Sequence, residues 1–269
     1  MNIKKGDIVG RISYGKDILF SVEKIIKINV NNEICILKGL TERIKADAPI
    51  EDLEIIDKKT IDKHMNYLTE RVAKRIKKVN ESKILKRDSM AYTGIILHLD
   101  GDKKYSEKSA KYYKEIGLNA IVKNVPEYKQ ANIVKRLLEQ YKPDILIITG
   151  HDAMIRNGKN FNDIYNYRNS RYFMNTVAEA RNWERQTGKE LVIFAGACQS
   201  FFEAIMSCGA NFASSPGRIL IDFIDPLIVA EKVATTPSYK YITINEIAEE
   251  LRDGQKGIGG SRSNTEKRE

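Results

Sequence analysis

The hydrophobic pattern of this chain changes period between its N-terminal part and its larger C-terminal part. Up to residue 56, short β-rich runs cover 7–12, 18–28, 33–38 and 53–56, broken by Gly15, the Asn-containing stretch 29–32 and Gly39. Short strands at this spacing predict a small β-barrel or curled sheet over 1–56. Ile61, Met65, Leu68, Val72, Ile76 and Val79 then recur every three or four positions, which predicts one amphipathic helix within 57–90. From residue 93, apolar runs at 93–99, 119–123, 145–149, 191–195 and 211–214 alternate with helical segments at 106–116, 131–141, 169–187, 201–207 and 226–235. Alternating β and α elements with short connections predict an α/β domain over 91–252, a doubly wound parallel sheet whose strands all end on one rim. Residues 253–269, rich in Gly, Ser and charge, are expected to form a mobile basic tail.

Composition bounds the class. A chain of 269 residues with 42% apolar content can bury a sizeable core. It has no apolar run long enough to span a bilayer, and Met1-Asn2-Ile3-Lys4-Lys5 lacks the apolar stretch of a signal peptide. Cytoplasmic production and no membrane partner are therefore expected. Cys35, Cys198 and Cys208 are too few and too unpaired for a disulfide framework, and no Cys-x-x-Cys spacing exists for zinc. Of the net charge of +9, much falls in residues 57–88, which carry eleven Lys or Arg against five Asp or Glu. Such a helix could meet nucleic acid or another anionic partner. Without aromatic interleaving or a Gly-rich RNA motif, a solvated helix face is the preferred description, and His64 belongs to it. In the N-terminal module, Cys35 is expected in the core. Lys5-Gly6-Asp7-Ile8-Val9 resembles the opening of SH3-like and KOW-type barrels.

The chemistry sits at strand ends. The run 145–149 leads into Gly150-His151-Asp152, and the run 191–195 into Gly196-Ala197-Cys198-Gln199. Open α/β sheets build their sites past the carboxyl ends of strands, so His151 and Cys198 are the candidate base and nucleophile of a cysteine peptidase. Histidine some 50 residues before cysteine is the caspase-type order. A glutamine-amidotransferase or hydrolase elbow needs a histidine after its nucleophile, whereas His64, His98 and His151 all precede Cys198. A helix beginning soon after Cys198 is expected to lower its pKa. Gly150, Gly196 and Gln199 are candidate supports, and the N–H of Cys198 a candidate oxyanion donor together with one from the loop after His151. Asp152 could orient the imidazole, and His98 is either a buried, satisfied residue or a support. Asp100, Asp102, Asp222 and Asp225 are candidates to line a pocket for a basic side chain, with a solvated turn acid as the competing description of each. A metal site from His98, Asp100 and Asp102 finds no further matching ligands, so no metal and no cofactor are expected.

At Ser13-Tyr14, His98-Leu99-Asp100-Gly101-Asp102, Pro143-Asp144 through Thr149-Gly150-His151-Asp152, Asn166-Tyr167-Arg168-Asn169-Ser170 and Phe194-Ala195-Gly196-Ala197-Cys198-Gln199-Ser200, the chain resembles the YabG family of sporulation-specific cysteine peptidases. Gly209-Ala210-Asn211-Phe212-Ala213-Ser214-Ser215-Pro216 and Gly257-Ile258-Gly259-Gly260 extend the resemblance over nearly the whole length. It implies a caspase-like peptidase domain with His151 and Cys198 as the dyad and cleavage after Arg or Lys. It also implies synthesis in the mother-cell cytoplasm, association with the spore coat, and substrates among coat and cortex-associated proteins. The caspase-like clan usually has Gly after the histidine, where this chain has Asp152, which leaves open which N–H completes the oxyanion hole. Self-cleavage within the Lys- and Arg-rich linker and tail is a further expectation. The alternative is a non-enzymatic spore scaffold or nucleic-acid-binding protein using the barrel and basic helix.

Overall fold

The computed structural model describes residues 3–29, 32–85, 94–155, 161–237, 240–261 and 263–264. The expected start of a strand at residue 93, the last part of the basic helix (86–90) and the end of the tail (265–269) lie outside the described residues. The N-terminal strands β1 (Ile8–Arg11), β2 (Leu19–Asn29), β3 (Asn32–Gly39), β4 (Lys45–Pro49) and β5 (Leu53–Ile55) form one antiparallel sheet in the order β4-β3-β2-β1-β5. Period-two alternation puts Val9, Phe20, Val22, Cys35, Leu37 and Ala48 on its buried side. That apolar interior runs without a break into Ala153, Cys198 and Ile221 of the second domain.

Helix α1 (Lys58–Leu85) leads to the α/β domain, which runs β6 (Ile96–Asp100), α2 (Lys103–Glu115), β7 (Ala120–Asn124), α3 (Glu127–Tyr141), β8 (Ile145–Thr149), α4 (Ser170–Thr187), β9 (Val192–Ala195), α5 (Phe202–Ser207), β10 (Phe212–Ser214), α6 (Asp225–Ala234), β11 (Tyr241–Ile242), α7 (Ile244–Ala248), β12 (Ile258–Gly260) and β13 (Ser263–Asn264). The six-stranded sheet has the order β12-β10-β9-β8-β6-β7. All neighbours are parallel except β12, which is antiparallel to β10, so the sheet is mixed rather than purely parallel. Every residue of β6, β8 and β9 is buried, because helices cover both faces and leave no solvent side to favour polar alternation. Core residues of α3, α4 and α5 join one face, and those of α2, α6 and α7 the other. Leu68 and Val79 of α1 join that second cluster. Local chemistry agrees with the tertiary arrangement at α7, where Thr243 and Glu246 form a reciprocal capping box.

Two features differ from the sequence-based expectation. Part of the expected mobile tail is ordered: β12 buries Ile258 completely. Its glycines permit the close approach, since a Cβ on Gly259 would lie 2.7 Å from the Phe202 ring and one on Gly260 2.4 Å from the Asn211 carbonyl. The basic helix is also not a uniformly solvated face. Arg75 grips Glu231 through Nε at 2.8 Å and Nη2 at 2.6 Å, Tyr112 donates to the same carboxylate at 2.7 Å, and Arg71 pairs with Asp222. No helix among the described residues is long and apolar enough to cross a membrane.

Candidate active site

Strand order reverses at β6, with β7 on one side and β8 on the other. The crevice past the carboxyl ends of β6 and β8 is where doubly wound sheets accept ligands, and Asp100 and His151 border it. Cys198 follows the neighbouring β9. The turn that carries it is tight: Gly196 sits at φ +115° and Gln199 at φ +54°, and a Cβ on Gly196 would lie 2.6 Å from Ser214 Oγ. Ser200 Oγ accepts from the Ala197 N–H at 2.9 Å, and Ser214 Oγ donates to the Ala197 carbonyl at 3.0 Å. Gln199 Oε1 accepts from the Met154 N–H at 3.3 Å, tying this turn to the loop after His151.

The Cys198 Sγ accepts from the Ile221 N–H at 3.2 Å and lies 3.5 Å from the Ile221 carbonyl. Burial pushes the thiol up to about 12. The expected help from a helix dipole is absent, because α5 starts only at Phe202 and has six residues. His151 is 1% exposed, its ring stacked on Tyr105 with centroids 5.4 Å apart and planes within 12°. Among the described residues neither ring nitrogen has a hydrogen-bond partner, and burial pulls the imidazole down to about 4. Its main chain is clamped on both sides: the N–H donates to Glu127 Oε1 at 2.8 Å, and the carbonyl accepts from Asn169 Nδ2 at 2.6 Å. Gly150 makes room for that clamp, since a Cβ there would meet Glu127 Oε1 at 2.3 Å.

Asp152 does not orient the imidazole. Its carboxylate accepts from Ser170 Oγ at 2.5 Å, Ser200 Oγ at 2.9 Å and the Asn169 N–H at 2.8 Å. This network joins the loop after β8 to the loop after β9 and to the start of α4, and burial raises the Asp152 carboxyl to about 6. The backbone of Asp152 faces the other way. Its N–H and the Cys198 N–H both donate to the carbonyl oxygen of Arg43, at 3.1 and 3.3 Å.

The four pocket candidates part company. Asp100, fully buried, accepts from Arg43 Nη1 at 2.8 Å. Burial opposes its ionisation, yet the Arg43 guanidinium holds its carboxyl well below the usual carboxylate range. His98 lies behind it, with Nε2 3.7 Å from the carboxylate and Nδ1 3.0 Å from the Tyr113 hydroxyl. The Arg43 guanidinium lies over the rings of Tyr105, at 4.8 Å, and Phe223, at 5.4 Å. Asp102 instead caps α2 by accepting from the Tyr105 N–H at 3.1 Å, as short acids do at helix starts. Asp222 pairs with Arg71, and Asp225 accepts from the Asp222 N–H at 3.0 Å. Both carboxylates are thus engaged by partners within the chain. Among the described residues no group of three or more His, Cys, Asp or Glu could hold a metal ion.

Arg43, Tyr105, Glu127 and Ile221 escape sequence-based reasoning. Of these, Glu127 alone carries a local signal that could have found it, an acid directly after Pro126 at the start of a helix. Arg43 belongs to the β-sheet module, far in sequence from every other member of the site.

A family model described as YabG peptidase U57 matches residues 4–269. The sporulation-specific protease YabG of Bacillus subtilis (strain 168) is 36% identical over 275 aligned residues, which cover 97% of this chain and 94% of that protein. No solved structure matches the chain. The full-length match to the family model and the identity along the whole chain lead to one conclusion: the protein belongs to the YabG peptidase family.

Proposed function

We propose that this peptidase is a cysteine endopeptidase of spore formation, with Cys198 as nucleophile, His151 as general base and acid, and Asp100 as the acid that selects Arg or Lys before the scissile bond. The observation that carries this reading is the environment of one peptide group. A carbonyl oxygen receives the N–H groups of Cys198 and of the residue after His151, while the side chain of the same residue runs to a buried carboxylate. Backbone N–H pairs of this kind stabilise the oxyanion of acyl transfer, and the Asp152 N–H supplies the second donor. Cys198 attacks the carbonyl carbon as its proton passes to His151, the imidazolium protonates the leaving amine, and water hydrolyses the thioester. Closed off from solvent, thiol and imidazole both rest in their neutral forms, so proton transfer between them accompanies attack.

Spore coat and cortex-associated proteins are the substrates in this proposal, met in the mother-cell cytoplasm and at the coat. The scaffold or nucleic-acid-binding alternative loses ground because Arg71, Arg75 and Lys78 of α1 already pair with Asp222, Glu231 and Glu250. Turnover of arginyl, lysyl and glutaminyl peptides by wild type, Cys198→Ala and His151→Ala tests the proposal. Both variants should lose about 10⁴-fold or more in kcat, and wild type should prefer the basic peptides. Cleavage surviving in Cys198→Ala would end it.

A further inference from the structure

The occupant of the site is part of the chain itself. Residues 40–44 join β3 to β4, and this connection carries Arg43 to the candidate nucleophile. Glu42 forms an antiparallel bridge with Asp222 and Ile44 a parallel bridge with Asp152, so the loop lies between the segments after β10 and after β8 as an added strand. Arg43 is fully buried, with its guanidinium on Asp100 and its carbonyl between the Asp152 and Cys198 N–H groups. The Tyr105 hydroxyl holds the same loop from outside, 3.4 Å from the Gly39 carbonyl and 3.3 Å from that of Glu42. On the far side of the Arg43–Ile44 bond, a cleft of about 650 Å³ continues past Phe20, Ile44, Ala46, Met154, Gln199 and Leu220. A surface arginine would have no reason to enter a neutral core. This one is desolvated, ion-paired and presented in the register of a bound peptide.

We infer that the loop 40–44 is an internal substrate, which closes the active site while intact and is cut by Cys198 of the same molecule between Arg43 and Ile44. The inference rests on the dyad proposed above. Sγ transfers its proton to His151 and bonds to the Arg43 carbonyl carbon. The C–N bond to Ile44 breaks as the imidazolium returns the proton to the Ile44 nitrogen. Water then hydrolyses the thioester, leaving an Arg43 carboxylate and a free thiol. The bond presented lies in the barrel loop rather than in the basic linker or tail. Strand pairing of β4 with β3 and of β5 with β1 holds the two pieces together after the cut, so scission shows only under denaturing conditions.

The experiment follows the full chain by denaturing intact-mass measurement and N-terminal determination, alongside turnover of an external arginyl peptide. Wild type should yield a fragment beginning at Ile44 at a rate independent of protein concentration, with external turnover rising as the fragment accumulates. Isotope-labelled Cys198→Ala mixed with active wild type should keep its Arg43–Ile44 bond, because the loop is buried within its own molecule. Arg43→Gln should slow that cut by about 10²-fold or more, as loss of a buried charge pair implies, and external turnover should appear only as slowly as the cut fragment does. Wild type that cleaves the external peptide but keeps Arg43–Ile44 intact overturns the internal substrate and leaves the dyad standing, and so does rapid cutting of labelled Cys198→Ala in trans. Wild type that cleaves neither, and matches Cys198→Ala throughout, brings down both.

Discussion

The Arg43 guanidinium and the Asp100 carboxylate meet at 2.8 Å with neither side chain exposed, across 57 residues of sequence and two sheets of different kinds. A buried ion pair of this sort is weak support for stability as a pair but costly to break from one side, at about 3–5 kcal/mol. Asp100→Asn should therefore lower the unfolding midpoint, and adding Arg43→Gln should recover part of the loss. The same Asp100→Asn change should cost about 10²-fold in kcat/KM on arginyl peptides and much less on glutaminyl ones. Equal losses on both peptides would remove Asp100 from specificity.

Gly150 and Glu127 form a second coupled pair. A methyl group at residue 150 collides with the far end of the Glu127 side chain, which can swing aside only by releasing the His151 N–H. Gly150→Ala should fold, yet lose about 10-fold to 100-fold in kcat with little change in KM, since a small misplacement of a catalytic group is costly. Glu127→Gln, which keeps an acceptor oxygen, should lose less. Thermal melting and steady-state kinetics on the same preparations separate the two effects.

Helix α1 is held to the α/β domain by Arg75, whose guanidinium is bidentate on Glu231. Arg75→Ala should cost about 3–5 kcal/mol in urea unfolding. Tyr112→Phe, which removes one hydrogen bond to the same carboxylate, should cost about 1.5–3 kcal/mol. Neither change touches the residues around Cys198, so KM should hold in the folded fraction; a shifted KM at full folding would show that α1 shapes the site.

Burial raises the Asp225 carboxyl from an ordinary 3.8 to about 7, against the opposing charges of Arg252 and Arg71. The folded chain thus keeps a proton that the unfolded chain releases. This group's contribution to stability is complete below about pH 4 and is lost as pH rises through 7. Asp225→Asn keeps an acceptor for the Asp222 N–H and cannot ionise. The stability difference between Asp225→Asn and wild type should grow in favour of the variant from pH 5 to pH 8 in urea unfolding, and a flat difference would contradict the assigned shift.

Strand and helix order in the α/β part was legible because buried parallel strands read as unbroken apolar runs, and the placing of His151 and Cys198 just past two strand ends was legible for the same reason. The antiparallel edge was not: Ile258 with its two glycines is too short to declare itself, and it becomes a strand only because β10 offers an unpaired edge. The role of Asp152 was also missed. One-dimensional adjacency to His151 does not say which way a carboxylate points, and here Ser170 and Ser200 claim it.

By itself, the amino-acid sequence determined that β-rich strands precede an alternating α/β part, and that His151 and Cys198 follow two of its strands, because periodicity and residue type are local properties. Only the tertiary structure decided what stands before the candidate nucleophile. Arg43 is an ordinary basic residue in a hairpin connection until docking of the two sheets takes it out of water. A carboxylate and two N–H groups then become its alternative to solvation, and that exchange depends on positions the sequence keeps far apart.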